Sequence, residues 1–173
     1  MQNKKIAHDL ASEIRILLGI LDKTTKLIQH LDTQTNILIG ISSAIFVFMT
    51  AGLKYGNLNI AFLVLGVFSA TAALTGLFAI HPPRFMRKKG QKESLMYNKN
   101  IGNFHSPAIY QKQLEKIFES REAILKQYSM EIYNLAKYYY QPKRKIFKLS
   151  RNILLTGIIL SLLISILSFF LTV

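Results

Sequence analysis

The chain has 173 residues, with 22 Lys and Arg against 9 Asp and Glu, a formal net charge of +13, and neither Cys nor Trp. Half of the residues are hydrophobic, which excludes a disordered chain. The absence of Cys excludes a disulfide scaffold, a Cys-ligated zinc site, an iron–sulfur cluster and a thiol nucleophile.

A mean hydropathy of +0.25 beside so high a charge places apolar and charged residues in separate blocks. The first block, residues 1–36, reads as an amphipathic helix. Leu10, Ile14, Leu17, Leu21, Ile28 and Leu31 recur at spacings of three, four or seven, with Thr24 as the polar member of the stripe. No Pro interrupts this pattern, so the helix is expected to continue into the next block. Packing against a partner helix explains the stripe more simply than lying flat on lipid.

Residues 37–81 form a predicted transmembrane hairpin with spans at about 37–54 and 60–81. Residues 37–53 and 61–80 are charge-free runs of 17 and 20 residues. A third run, residues 153–173, has 21 and sits in the last block, residues 151–173. A helix needs about 20 apolar residues to cross a hydrocarbon core of roughly 30 Å. The second and third runs meet this outright, and the first does so if Thr35 and Asn36 or Lys54 lie at the interface. The first run begins behind a long helical segment and is followed at once by a second span, which is not the layout of a cleaved signal peptide.

Between the hairpin and the last span, residues 82–150 form a basic linker and a long helix. Residues 84–151 carry 16 Lys and Arg against 5 Glu, a net +11, whereas residues 54–60 hold only Lys54. The positive-inside rule therefore places the basic segment and the N-terminus in the cytoplasm, and the C-terminus outside. His81-Pro82-Pro83 stops the second span, and the basic run at residues 84–92 reads as a topology anchor on anionic head groups. Residues 95–106 carry Asn and Gly turn signals, and Ser106-Pro107 has the form of an N-cap followed by the first helical position.

The long helix shows Leu114, Ile117, Arg121, Ile124, Tyr128, Ile132, Leu135 and Tyr139 in steps of three or four, with a break or kink expected at Pro142. Paired with the N-terminal helix, it would make a cytoplasmic stalk on the order of 45 Å. Residues 143–148 (KRKIFK) then anchor the last span at the inner interface. The fold expected is thus an all-α membrane protein with three transmembrane helices and a cytoplasmic helical stalk.

No catalytic or metal-binding pattern appears. The glycines form no phosphate loop, there is no HExxH, and His8, His30, His81 and His105 show no ligand spacing. An enzyme, a metal site and a bound cofactor are therefore not expected. The basic charge is already explained by membrane topology, so it does not argue for a nucleic acid strand. The aromatic residues interleaved with it, Tyr97, Phe104, Tyr110 and Tyr128 among them, suit a small cyclic nucleotide as well. Within the spans, Gly66 and Ala70, Ser69 and Ala73, and Ala72 and Gly76 are small-xxx-small pairs that allow close helix approach. Ser161, Ser165 and Ser168 form a hydroxyl stripe on the third span, which serves either helix packing or a pore wall exposed on assembly. No charge lies deep in a span, which argues against a proton or ion pump.

The order of parts resembles a known family. A helix enters the first span through residues 31–38 (LDTQTNIL), and the second span ends in Pro83-Arg84. Met96-Tyr97, Ile101, Phe104 and Tyr110 follow, then residues 132–137 (IYNLAK) on the long helix, then Lys145 before the last span. Over about residues 20–173 this resembles the transmembrane effectors of the Pycsar antiphage systems, to which SLATT-type membrane effectors are related. The family usually carries Asp-x-Lys-Ala before the first span, where Gln34 and Thr35 stand here in place of Lys and Ala.

The resemblance implies an effector in the bacterial inner membrane, without catalysis of its own, that acts with a nucleotide cyclase producing cyclic UMP or cyclic CMP. On binding the messenger it would impair the membrane, as a homo-oligomer. Asp32 matches the family's Asp and with Asn36 forms an i, i+4 polar pair, a candidate gate. Arg84 or Lys145 is its expected ion-pair partner. Tyr97 offers a stacking face, and Lys137 and Arg84 offer phosphate partners, as a candidate ligand site. The alternatives are a non-gated structural or interaction subunit of the membrane and a holin-like pore former.

Overall fold

The computed structural model describes residues 2–53, 60–80 and 94–172. In chain order these form α1 (Gln2–Leu53), α2 (Ile60–Ile80), the single turn α3 (Asn98–Ile101), α4 (Pro107–Phe118), α5 (Arg121–Asn134), a π-helical segment (Leu135–Tyr140) and α6 (Gln141–Thr172). There is no strand among the described residues. Three helical stretches, Leu10–Gly52, Ile60–Ile80 and Arg121–Phe170, are long and apolar enough to cross a membrane. The protein is therefore an all-α, multi-pass membrane protein. Its described residues fall into two compact units, one within Met1–Ile28 and Arg87–Tyr140, the other within Gln29–Met86 and Gln141–Val173.

The second unit is built from the apolar spans, and its packing runs opposite to that of a soluble bundle. Its interior holds small residues. On α2 these are Ala61, Gly66, Ser69, Ala72, Gly76 and Ala79. A Cβ on Gly66 would lie 3.5 Å from Met49 Cβ, and one on Gly76 only 2.7 Å from Ile39 Cγ1. The later residue of α2 thus meets the earlier residue of α1, so the two helices are antiparallel. On α6, Ile146, Ser150 and Leu154 turn inward, and the Ser150 hydroxyl donates to the Ala72 carbonyl at 2.7 Å. Large side chains such as Phe48, Leu74, Phe78, Leu163 and Phe170 face out. Hydrocarbon gives no hydrophobic drive for helix association, so close approach of small residues supplies the dispersion contact instead.

In the first unit, α1 and α5 come together at Glu13 and Arg121. Ile124 is buried and Leu17 and Leu21 are half-buried. Glu13, Ile16 and Leu17 of α1 line a shallow groove with Leu125 and Ser129 of α5. Arg121 forks onto Glu13, with Nε 3.0 Å from Oε2 and a terminal nitrogen on the other oxygen.

One sequence expectation about the long helix is corrected. The helix does not run unbroken from Pro107, because Ser120 restarts it: its hydroxyl accepts from the Ala123 N–H at 3.4 Å, while the Glu119 N–H closes α4 on the Glu115 carbonyl. Ser106 caps α4 as expected, accepting from the Ile109 N–H. Pro142, where a break or kink is expected, lies in the first turn of α6. Proline brings no N–H and crowds the carbonyl four residues back. The wider π turn at Leu135–Tyr140 precedes it, and the helix continues through Pro142 into α6.

Candidate functional site

The described residues among the sequence-predicted site residues divide between the two units. In the second unit, Asp32 follows the buried Leu31 and precedes the buried Thr35, whose hydroxyl donates back to the Leu31 carbonyl at 2.7 Å. Lys143, the third residue of α6, donates from Nζ to Asp32 Oδ1 at 2.7 Å and to Oδ2 at 2.8 Å. The lysine side chain is only 11% exposed and the carboxylate 34%. Charge-assisted bonds of this length in a partly dehydrated setting are among the stronger polar contacts a protein makes.

Among the described residues the partner is Lys143 rather than Lys145, one of the two residues expected from the sequence. The reason is helical phase. Lys143, Ile146 and Ser150 step by three and four along one buried face of α6, whereas Lys145 lies off that face and is exposed. Arg84 lies outside the described residues. Asn36 is exposed, and Thr35 beside it is the residue that turns inward.

In the first unit, Tyr97 and Lys137 engage different partners. The Tyr97 hydroxyl bonds that of Tyr139, with ring centroids 5.8 Å apart. Lys137 donates to the Tyr133 hydroxyl and lies over the Tyr133 ring, 4.8 Å from its centroid. Tyr138 packs edge-on against Tyr133 and gives Lys137 a second ring at 5.8 Å. The hydrogen bond to the Tyr133 hydroxyl raises the Lys137 pKa above its ordinary 10.5, so this ammonium stays charged at physiological pH.

The segment that carries Tyr97 is pinned onto α5 and its own turn. The Leu95 N–H donates to Gln127 Oε1 at 3.0 Å, and the Tyr110 hydroxyl donates to the Leu95 carbonyl at 3.3 Å. Buried Ser94 accepts from the Met96 N–H through its hydroxyl and from Asn100 Nδ2 through its carbonyl. The Phe104 and Tyr110 rings close the turn at 5.2 Å. The exposed Lys137 ammonium thus has aromatic faces beside it, the chemistry that a phosphate and a base engage, while no contact among the described residues joins it to the Tyr97–Tyr139 pair.

On the third span, Ser161 is buried at 7%, Ser165 is half-buried and Ser168 is exposed, so the three do not share one environment. Ser69 of the small-residue pairs, and Ser42 and Ser150, which the sequence patterns did not single out, lie deeper. Ser42 and Ser69 are fully buried, and Ser150 is equally so. The alternation of small and hydroxyl residues with bulky ones along each span is the signal that points to them. Among the described residues, no group of His, Asp and Glu could hold a metal ion.

Neither the curated proteins nor the solved structures include a match to the chain. The Pycsar effector protein domain matches it over residues 16–171, a stretch that takes in the candidate site residues of both units. The chain therefore belongs to the Pycsar effector family, whose members are membrane effectors in cyclic-nucleotide antiphage defence linked to a nucleotide cyclase.

Proposed function

We propose that the protein sits in the bacterial inner membrane as a homo-oligomer, with its N-terminus and basic segment in the cytoplasm and its C-terminus outside, and that cyclic UMP or cyclic CMP from the partner cyclase drives it to impair that membrane. Family membership over residues 16–171 is the observation that carries this reading. The charge asymmetry supports the orientation: residues 84–151 carry 16 Lys and Arg.

In this reading Tyr97 and Lys137, with Arg84, take the nucleotide, the rings stacking on the base and the cations pairing with its phosphate. Lys137 belongs to the π segment that leads directly into α6, where Lys143 is the third residue. A ligand that changes the turn at Lys137 would act on the Asp32–Lys143 pair through the chain itself. That pair is the closed-state contact, and Asp32 is the gate residue. Ser161, Ser165 and Ser168 belong to the span that opens.

The test is dye release from liposomes that hold the purified protein. Release on addition of cyclic UMP or cyclic CMP, and none with the corresponding linear nucleotides, supports the reading. Intact vesicles at saturating concentrations of both cyclic nucleotides overturn it.

A further inference from the structure

We propose that the water path of the activated protein is lined by the buried hydroxyl face inside its own three spans, exposed when they separate, and not by any face the spans already turn outward. This rests on the membrane-impairing reading above. The observation behind it is that Ser42 and Ser69 are both fully buried and that neither hydroxyl has a hydrogen-bond partner among the described residues.

A hydroxyl on a membrane helix is ordinarily satisfied by the carbonyl one turn back. Thr35, Thr50, Thr71 and Thr75 do this, at 2.7–3.0 Å. Ser150 instead reaches across to Ala72. Ser42 and Ser69 do neither. A buried polar group with no partner destabilises the state that buries it, and alanine would fill the same space without that penalty. The penalty exists only while the core is dry. Water entering between the spans would satisfy both hydroxyls, so the two serines favour the hydrated state over the closed one, which is the differential a conformational switch requires.

The outward faces lack this property. They carry Val47, Phe48, Leu74, Phe78, Leu163 and Phe170, side chains suited to lipid. The inner face combines Ser42, Ser69, Ser150 and Ser161 with small residues, and Asp32 and Lys143 are ionised groups of the same unit. A wall of uncharged hydroxyls would pass water and small solutes of either charge.

The chain contains no Cys, so each introduced thiol is unique. Ser42→Cys, Ser69→Cys and, as an outward control, Leu163→Cys are reconstituted in dye-loaded liposomes. They are treated with cyclic UMP or cyclic CMP in the presence of a membrane-impermeant, charged methanethiosulfonate. The expected result is that the thiols of both serine variants are labelled only in leaking vesicles, with the Leu163→Cys thiol unmodified throughout. Leakage without labelling of either serine variant, or with labelling of the Leu163→Cys thiol instead, overturns this proposal and leaves the function standing. No leakage with either nucleotide overturns both. A second arm needs no labelling: the double variant Ser42→Ala, Ser69→Ala should insert normally and leak roughly tenfold less at a given nucleotide concentration. Unchanged or greater leakage from that variant overturns the proposal.

Discussion

Lys143 holds both carboxylate oxygens of Asp32, at 2.7 and 2.8 Å, in a setting that leaves the lysine far less exposed than the acid. Removing the acid therefore strands a mostly buried cation. Asp32→Ala should destabilise the second unit by about 2 kcal/mol, less than a fully buried pair would lose because the carboxylate is partly hydrated. The same substitution should lower the nucleotide concentration needed for dye release. The charge-swapped double variant Asp32→Lys, Lys143→Asp should recover much of both effects. Normal nucleotide-dependent release by well-inserted Asp32→Ala would leave the pair a purely structural contact.

Gly157 faces the Phe68 side chain so closely that a Cβ there would overlap Phe68 Cβ and stand 2.9 Å from Phe68 Cγ. The Phe68 Cβ is fixed to the backbone and has no rotamer to retreat into, so Gly157→Ala must push α6 away from α2. We expect a loss of roughly 1–3 kcal/mol in detergent unfolding and dye release without nucleotide. Gly19→Ala provides the contrast. Nothing lies within 4 Å of where its Cβ would stand, and it sits inside α1, so alanine should stabilise by about 0.5–1 kcal/mol through helix propensity alone.

The Glu13–Arg121 fork is half open to solvent, with side chains 32% and 42% exposed. A double-mutant cycle over Glu13→Gln and Arg121→Gln should give a coupling of about 0.5–1 kcal/mol, declining with added salt. Arg121→Lys should lose most of it, because an ammonium lacks the planar two-nitrogen fork that aligns one N–H with each oxygen. A coupling indistinguishable from zero would mean that apolar contact alone joins α1 to α5.

Lys137 has its pKa raised by the Tyr133 hydroxyl, and the sign fixes a pH expectation. A lysine with a raised pKa is protonated at every pH below its ordinary 10.5, so its contribution to nucleotide response should be flat between about pH 6 and pH 9. Lys137→Gln should weaken the response to cyclic UMP or cyclic CMP about tenfold at any pH in that window. A response that titrates near neutrality would assign the phosphate contact to a different group.

Much of the architecture is legible in the residue order, because hydrocarbon imposes a simple requirement: long runs without charge. The charge-free runs locate all three spans, and Ser106-Pro107 marks the start of α4 by cap chemistry alone. Ser120 is an equally good cap residue, but the stripe from Ile117 through Arg121 to Ile124 passes it in steps of three and four, and periodicity masks a two-residue interruption. Pro142 signals a disturbance in the helix without showing its form. Its effect depends on the width of the preceding turn, which composition does not display. The partner of Asp32 could not be read from charge type, since Lys143 and Lys145 are chemically identical. Only the phase of α6, set by Ile146 and Ser150, separates them.

The three charge-free runs also determine how the protein experiences an electric field. A transmembrane potential does work only on charge that moves through it, about 2.3 kcal/mol per elementary charge for each 100 mV. Residues 37–53, 61–80 and 153–173 contain no Asp, Glu, Lys or Arg. A rearrangement confined to these runs carries no side-chain gating charge. Loss of membrane potential during such a rearrangement would neither accelerate nor reverse it, so the process would lack electrical feedback.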